Sequence, residues 1–275
     1  MLVSMKEILV RARAEGYGVT APNVNNEDTA RAAVEAAVEN KAPMILDIGY
    51  AANQDIVYFG RMCEDFAKAA NVPIAINLDH GAKYEHAIWA IRAGFTSIMV
   101  DRSTLPYEEN IAEVAELVKI AHAVDVSVEA ELGHVGQGVQ YDIDRDAGLT
   151  NPDQAKDYVE KTGIDCLAVA IGTAHGQYTG TPHLDFPLLH KIFNTVDVPL
   201  VLHGGSGTGD ENLAKSTREG ISKVNLATDL YMAGAKSWND EDCVHAGPGY
   251  KLIKAGYKAM LIHYMELFNQ CGKAW

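Results

Sequence analysis

Eight short apolar runs rich in β-forming residues recur along the chain, each followed by enough residues for a helix. They cover residues 18–24, 44–49, 74–79, 97–101, 126–132, 166–172, 199–203 and 224–227. Between them lie Ala-rich segments with helical spacing of apolar positions, such as 29–40, 84–93, 111–124 and 151–161. Strands alternating with helices predict βαβ units and a parallel sheet. Eight such units with no linker predict an α/β fold closed into a (β/α)8 TIM barrel, one domain over residues 1–275. Asn151-Pro152-Asp153 reads as a helix start: a cap, then Pro at the first helical position, then an acid in the first turn. The Gly-rich stretch 133–148 is long for a βα loop and is expected to fold over the barrel mouth. Residues 247–272 predict a C-terminal helical extension with Tyr250, Tyr257, Tyr264 and Phe268 on its apolar face. That helix would close the barrel or form an interface.

Composition narrows the function classes. Hydrophobic residues are 48% and charged residues 22% of the 275, as in a soluble globular protein. A net charge of −14 with no Lys/Arg cluster argues against nucleic acid as a partner. An acidic chain that binds a phosphate ester needs a local device, such as backbone N–H groups or a metal. Cys63, Cys166, Cys243 and Cys271 are scattered, with no C-x-x-C pair. Cys63 and Cys166 sit in apolar stretches and read as reduced, buried thiols of a cytosolic protein. No signal-peptide core opens the chain and no apolar run approaches the ~18 residues of a membrane span. The expectation is a cytoplasmic protein with no membrane partner.

Barrels carry their chemistry at the C-terminal ends of the strands. Three of the predicted strands end in a histidine followed by glycine: His80-Gly81, His175-Gly176 and His203-Gly204. Three imidazole nitrogens converging over a barrel, with one position left open, make a catalytic zinc site. Asp79 directly precedes one of these histidines and is a candidate general acid/base, or else a partner that orients an imidazole. Gly176 and Gly204-Gly205-Ser206-Gly207 let backbone N–H groups approach an anion. Asn225, Leu226, Ala227 and Thr228 at the next strand end add further donors. Loops after strands seven and eight are a recurrent phosphate site in such barrels. Glu129 and Glu131 share one face of strand five, where either could simply pair with a Lys or Arg.

In this order these residues resemble the class II, zinc-dependent fructose-bisphosphate/tagatose-bisphosphate aldolase family. The motifs that carry the resemblance are Asn23-Val24-Asn25-Asn26, Leu78-Asp79-His80-Gly81, Glu129-Ala130-Glu131-Leu132-Gly133, Gly172-Thr173-Ala174-His175-Gly176, Leu202-His203-Gly204-Gly205-Ser206-Gly207 and Asn225–Asp229. The resemblance implies a lyase of carbohydrate metabolism that cleaves a ketose 1-phosphate or ketose 1,6-bisphosphate to dihydroxyacetone phosphate and an aldehyde. It implies zinc on His80, His175 and His203, proton transfer by Asp79, and a second metal position at Asp101 and Glu131. Asn23, Gly176, Gly204 to Ser206 and Asn225 to Thr228 would bind substrate. A monovalent cation (Na+ or K+) near the phosphate and a homodimer or homotetramer are also implied.

Four departures from the family pattern fall on the aldehyde end. Tyr231 stands where the family has Arg or Lys; Asp47 and Gly49 replace Gln and Ser of strand two. The loop reads Gly136-Gln137-Gly138-Val139-Gln140-Tyr141-Asp142-Ile143-Asp144, with Asp142 and Asp144 as candidates to move a proton. Arg102 replaces a small residue and is a candidate source of positive charge. The expectation is an aldehyde that is not a phosphate ester. A zinc-dependent barrel hydrolase, or a non-catalytic aldolase-like subunit, are the rival readings.

Overall fold

A computed structural model describes residues 1–140, 148–180, 182–241 and 243–275. Its strands are β1 (Val19–Pro22), β2 (Met44–Gly49), β3 (Ile74–Asp79), β4 (Ser97–Val100), β5 (Ser127–Leu132), β6 (Cys166–Val169), β7 (Leu200–Leu202) and β8 (Ile221–Leu226). They form one eight-stranded parallel sheet in the order β1-β8-β7-β6-β5-β4-β3-β2. The remaining seam, β1 to β2, closes just past β1. There Asn23 and Asp47 bridge in parallel, and the Val24 N–H donates to Asp47 O at 2.9 Å. The expected (β/α)8 barrel is present.

Between and after the strands run α2 (Glu27–Glu39), α3 (Ile56–Ala69), α4 (Tyr84–Ala93), α5 (Tyr107–His122), α6 (Pro152–Thr162), α7 (Phe186–Thr195), α8 (Asp210–Arg218), α9 (Thr228–Asp240) and α10 (Ala246–Leu267). A further helix, α1 (Met5–Glu15), precedes β1 and lies outside the strand–helix alternation. Its local signals are nonetheless clear. Glu7 N–H donates to Ser4 Oγ (3.3 Å) and Ser4 N–H to Glu7 Oε1 (3.1 Å), a reciprocal cap. Its buried Met5, Ile8, Leu9 and Ala12 plug the N-terminal mouth of the barrel.

Side chains on a strand alternate between the inside of the barrel and the helix layer. Met44, Leu46, Ile48, Ile76 and Leu78 pack outward with the helices. The inward positions stack in layers. The lowest is apolar, with Ile45, Ala75, Met99, Ala168 and Val201 over the α1 plug. Two residues past Ile45 and Ala75 come Asp47 and Asn77, which form a polar group with Glu129 and Lys223, all fully buried. Two residues further again come Gly49, Asp79, Glu131 and Asn225, at the mouth. Strand β8 starts at Ile221, earlier than the expected 224, because Lys223 looks like a break in an apolar run. Inside the barrel that lysine is answered by carboxylates.

The C-terminal extension takes the closing role. Gly18 N–H donates to Phe268 O (3.0 Å), Thr20 N–H to Gln270 Oε1 (2.9 Å), and Gln270 Nε2 to Pro43 O (2.6 Å), so the chain end clasps β1 and the entry to β2. Tyr257, Tyr264 and Phe268 are buried as expected, whereas Tyr250, a heptad before Tyr257 near the helix start, is 59% exposed.

Candidate active site

The inward series that ends in Asp79 meets a bend at the next residue. His80 has φ +46°, a left-handed backbone uncommon outside glycine and enriched at functional sites. The bend brings Asp79 and His80, which would face apart in a continuing strand, to within 4.0 Å of each other. His175 follows β6 and His203 follows β7 directly; the three imidazole rings lie 4.7 to 5.8 Å apart, centre to centre. His80 Nε2 and His175 Nε2 are 3.1 Å apart. Two nitrogens on one tetrahedral zinc, each at ~2.0–2.1 Å, lie roughly 3.3–3.4 Å from each other.

The outer nitrogens of two histidines are already committed. Asp101 Oδ2 holds His80 Nδ1 at 2.8 Å, and Glu129 Oε1 holds His203 Nε2 at 2.7 Å. Nε2 of His80 and Nδ1 of His203 thereby face the centre of the site, where Asn225 Nδ2 lies 3.3 Å from His203 Nδ1. Such carboxylate–imidazole pairs fix ring orientation and tautomer at metal centres. Glu129 is held in turn by Lys223 Nζ at 2.8 Å, and Lys223 also approaches Asp47 Oδ2 at 3.3 Å. The chain from lysine to glutamate to histidine therefore runs upward through the buried polar layer.

Charge in the site favours a cation. Burial alone lowers the His80 pKa, but Asp79, the hydrogen bond to Asp101 and Glu131 outweigh it and raise it to about 10. His175 is pushed down to about 3, by burial and then by its neighbours His80 and His203. Asp79 keeps a carboxylate at about 2: burial raises it, but His80, His203, Lys223 and the Asn23 hydrogen bond together prevail. Asn23 Nδ2 donates to one Asp79 oxygen (2.7 Å) and Asn225 Nδ2 to the other (3.1 Å). Glu131 is raised to about 8 by burial and then by Asp101, and its Oε2 is buried without a partner. Ligand atoms of His80, His175 and His203, and separately of His80, Asp101 and Glu131, lie within 4.8 Å of one another. Both sets suit a metal ion.

Beside the histidines lies a cleft of about 310 Å³ lined by Gly176, Gly204, Gly205, Ser206, Asn225, Ala227 and Thr228. Among the described residues the N–H groups of Gly176, Gly204 and Ser206 have no backbone acceptor. Gly204, at φ +66°, sits so close to Ala174 that a Cβ would fall 2.3 Å from its carbonyl oxygen, so only glycine fits. Ser206 Oγ accepts from Ala227 N–H (3.1 Å) and Asp229 N–H (3.2 Å), tying the two loops into one cradle. Leu226 is buried below it. A groove of about 1030 Å³ at the opposite, N-terminal mouth is larger but gathers no comparable chemistry.

The model of class-II fructose-bisphosphate aldolases matches residues 3–273. The chain belongs to the class-II fructose-bisphosphate aldolase family. A fructose-bisphosphate aldolase of Thermus caldophilus is 40% identical, with all of both chains covered. The solved YdjI aldolase of Escherichia coli K12 superposes with a TM-score of 0.91 at 33% identity, over the full length of each. A putative fructose-1,6-bisphosphate aldolase from Coccidioides immitis gives 0.89 at 29% identity, covering 98% of this chain and 97% of that one.

Against the family pattern, three departures take a different meaning in the fold. Arg102 is not a spare cation. Its Nη1 donates to the carbonyls of Gly81, Ala82 and Asp101, and its Nε to Glu113. Asp47 does not face an aldehyde pocket but lies in the buried polar layer with Asn77 and Lys223, where burial raises its pKa to about 8. Tyr231 donates its hydroxyl to Asn23 O (2.8 Å), beside Tyr257, which does the same at 2.9 Å. Asp142 and Asp144 lie outside the described residues. The described start of that loop is fastened to the His175 segment, with Gly138 N–H on His175 O (2.8 Å) and His175 N–H on Gly136 O (2.9 Å). Lys223 was missed as a partner of Glu129; its signal was parity, since both point inward one step below Asn225 and Glu131.

Proposed function

We propose that this aldolase cleaves a ketose 1-phosphate, and forms it in reverse, with dihydroxyacetone phosphate as one product and an aldehyde that carries no phosphate as the other. His80, His175 and His203 would hold the zinc on which the family depends, and Asp101 and Glu131 with His80 an alternative position for it. When bound, zinc supplies Lewis-acid stabilisation of the negative charge that cleavage leaves on the ketose oxygens. The Asp79 carboxylate, oriented by Asn23 and Asn225, takes the C4 hydroxyl proton during cleavage and returns it on condensation. The N–H groups of Gly176, Gly204 and Ser206 and the first turn of α9 at Thr228 receive the C1 phosphate.

The observation that carries this reading is the cleft in which Asp79, the histidine trio and the N–H cradle meet, with no Lys or Arg among its described lining residues. A Na+ or K+ ion beside the phosphate, a homodimer or homotetramer and a cytoplasmic location complete the proposal. The test is a panel of ketose 1-phosphates and 1,6-bisphosphates, assayed for dihydroxyacetone phosphate with and without chelator. Monophosphates should be cleaved preferentially and chelation should abolish turnover. A clear preference for a bisphosphate sinks the claim about the aldehyde, and activity that survives complete metal removal sinks the mechanism. Release of inorganic phosphate or another hydrolysis product, with no dihydroxyacetone phosphate, would favour a hydrolase.

A further inference from the structure

Two of the three histidines rest on a carboxylate that is itself supported. His203 rests on Glu129, and Glu129 on Lys223. His80 rests on Asp101, whose backbone is held by Arg102, a residue only 6% exposed. The turn after β3 needs such support. His80 adopts φ +46°, a conformation that a residue other than glycine keeps only where its surroundings over-determine it. Within the turn, Ala82 N–H meets His80 O at 2.7 Å, and Gly81 N–H donates to Met99 O at 3.0 Å. A Cβ on Gly81 would fall 2.4 Å from that same Met99 oxygen, so the turn passes β4 as closely as a backbone can. Lys83, which precedes α4, gives that helix no side-chain cap. The carbonyls of Gly81 and Ala82 turn instead to Arg102 Nη1, at 3.0 and 3.1 Å, and Asp101 O meets the same nitrogen at 2.7 Å. Glu113 of α5 holds Arg102 Nε at 2.5 Å. One guanidinium thus joins the backbone on either side of the His80–Asp101 hydrogen bond. A planar fork with fixed donor directions suits this task better than an ammonium on a flexible stem. Arg102 is not among the described residues that line the cleft, so contact with substrate is not what keeps this cation buried.

We propose that Arg102 is a positioning residue of the metal centre: its guanidinium clamps the turn that carries His80 to the strand end that carries Asp101, and so presets the geometry and affinity with which His80 holds zinc. This rests on the zinc reading above. Arg102 touches no reacting atom. It acts through His80, whose Nε2 the clamp aims at the centre of the site, and through Asp79, the residue before it.

The test compares the wild type with Arg102→Ala and Arg102→Lys. Zinc affinity is read by chelator competition, ligand geometry by the visible absorption of the cobalt(II)-substituted protein, and turnover by cleavage of a ketose 1-phosphate at saturating zinc. Arg102→Ala should bind zinc about tenfold or more weakly, the loss usual for a group that orients a ligand from outside, and its cobalt band should shift. Its kcat should fall, while KM, set by the cradle after β6 to β8, stays near the wild-type value. Arg102→Lys, whose ammonium can still meet a carbonyl, should recover part of the zinc affinity and of the cobalt band. A folded Arg102→Ala with a lower melting temperature but unchanged zinc affinity and cobalt band overturns the proposal. Should Arg102→Ala not fold, a folded Arg102→Lys that binds zinc as tightly as the wild type overturns it equally. A wild type that binds no zinc overturns the metal reading beneath, and this proposal with it.

Discussion

The two ends of the site are built from different material. At the phosphate end the donors are backbone N–H groups, and the side chains mostly stay clear; Gly204 is forced because a Cβ would strike the Ala174 carbonyl. Around Asp79 the groups are side chains instead: Asn23 and Asn225 each donate to one of its carboxylate oxygens. A backbone cradle is fixed by the loop geometry and tolerates change poorly. A side-chain corner can be altered residue by residue while the barrel stays intact. The same barrel can therefore keep one half of a substrate and vary the other.

The sharpest test sits where the two ends meet. Asp79→Asn keeps the shape and loses the proton acceptor, so kcat for cleavage should fall by roughly 10²–10⁴-fold while zinc stays bound. Metal analysis beside steady-state kinetics checks it; a zinc-loaded variant that stays fully active would remove Asp79 from the mechanism. Next comes the support beneath both ends. Lys223→Met leaves the buried Glu129 without its cation, which should destabilise the fold by about 3–5 kcal/mol. Through Glu129 and His203 it should also weaken zinc by about 10–100-fold in a chelator competition. Adding Glu129→Gln should restore part of both, since the glutamine oxygen can still accept from His203 without a charge to answer.

Gly204 and Gly49 test the contrast directly. Gly204→Ala should raise the KM for the phosphoketose about tenfold or more, the loss expected when hydrogen bonds to a charged group worth ~1.5–3 kcal/mol are displaced. Asp47→Asn separates the layer below from the site above. Burial, the largest influence, raises the Asp47 pKa from 3.8 to about 8 despite Lys223. The native state then holds a proton that the unfolded chain releases, so stability present below pH 3.8 is lost as pH rises towards about 8. Urea midpoints across that range should fall less steeply in Asp47→Asn; identical slopes would mean that Asp47 is ionised in the barrel. Smallest of all, Gly49→Ala, whose Cβ would meet only Asp79 atoms at 3.9 and 4.0 Å, should stabilise by about 0.5–1 kcal/mol, visible as a slightly raised melting temperature. A clear loss of stability would show that the fold needs this glycine.

Most of the barrel was legible from the chain because strand runs, helical spacing and their alternation are local. The histidine–glycine pairs at strand ends and the glycine-rich cradle were legible for the same reason. Helix α1 escaped because it lies outside the alternation, although its Ser4–Glu7 cap was written in the sequence. The meaning of Arg102, Asp47 and Tyr231 escaped because each depends on a partner distant in sequence or on backbone carbonyls. Residue order alone brought out His80, His175, His203 and Asp79 as candidates, at or beyond strand ends where a barrel exposes side chains. Which charges are free to meet a substrate was decided by contacts across the barrel. Lys223 lies 94 residues from Glu129 along the chain yet 2.8 Å from it in space. Whether a buried charge is available or already answered is a property of such contacts, and residue order does not contain it.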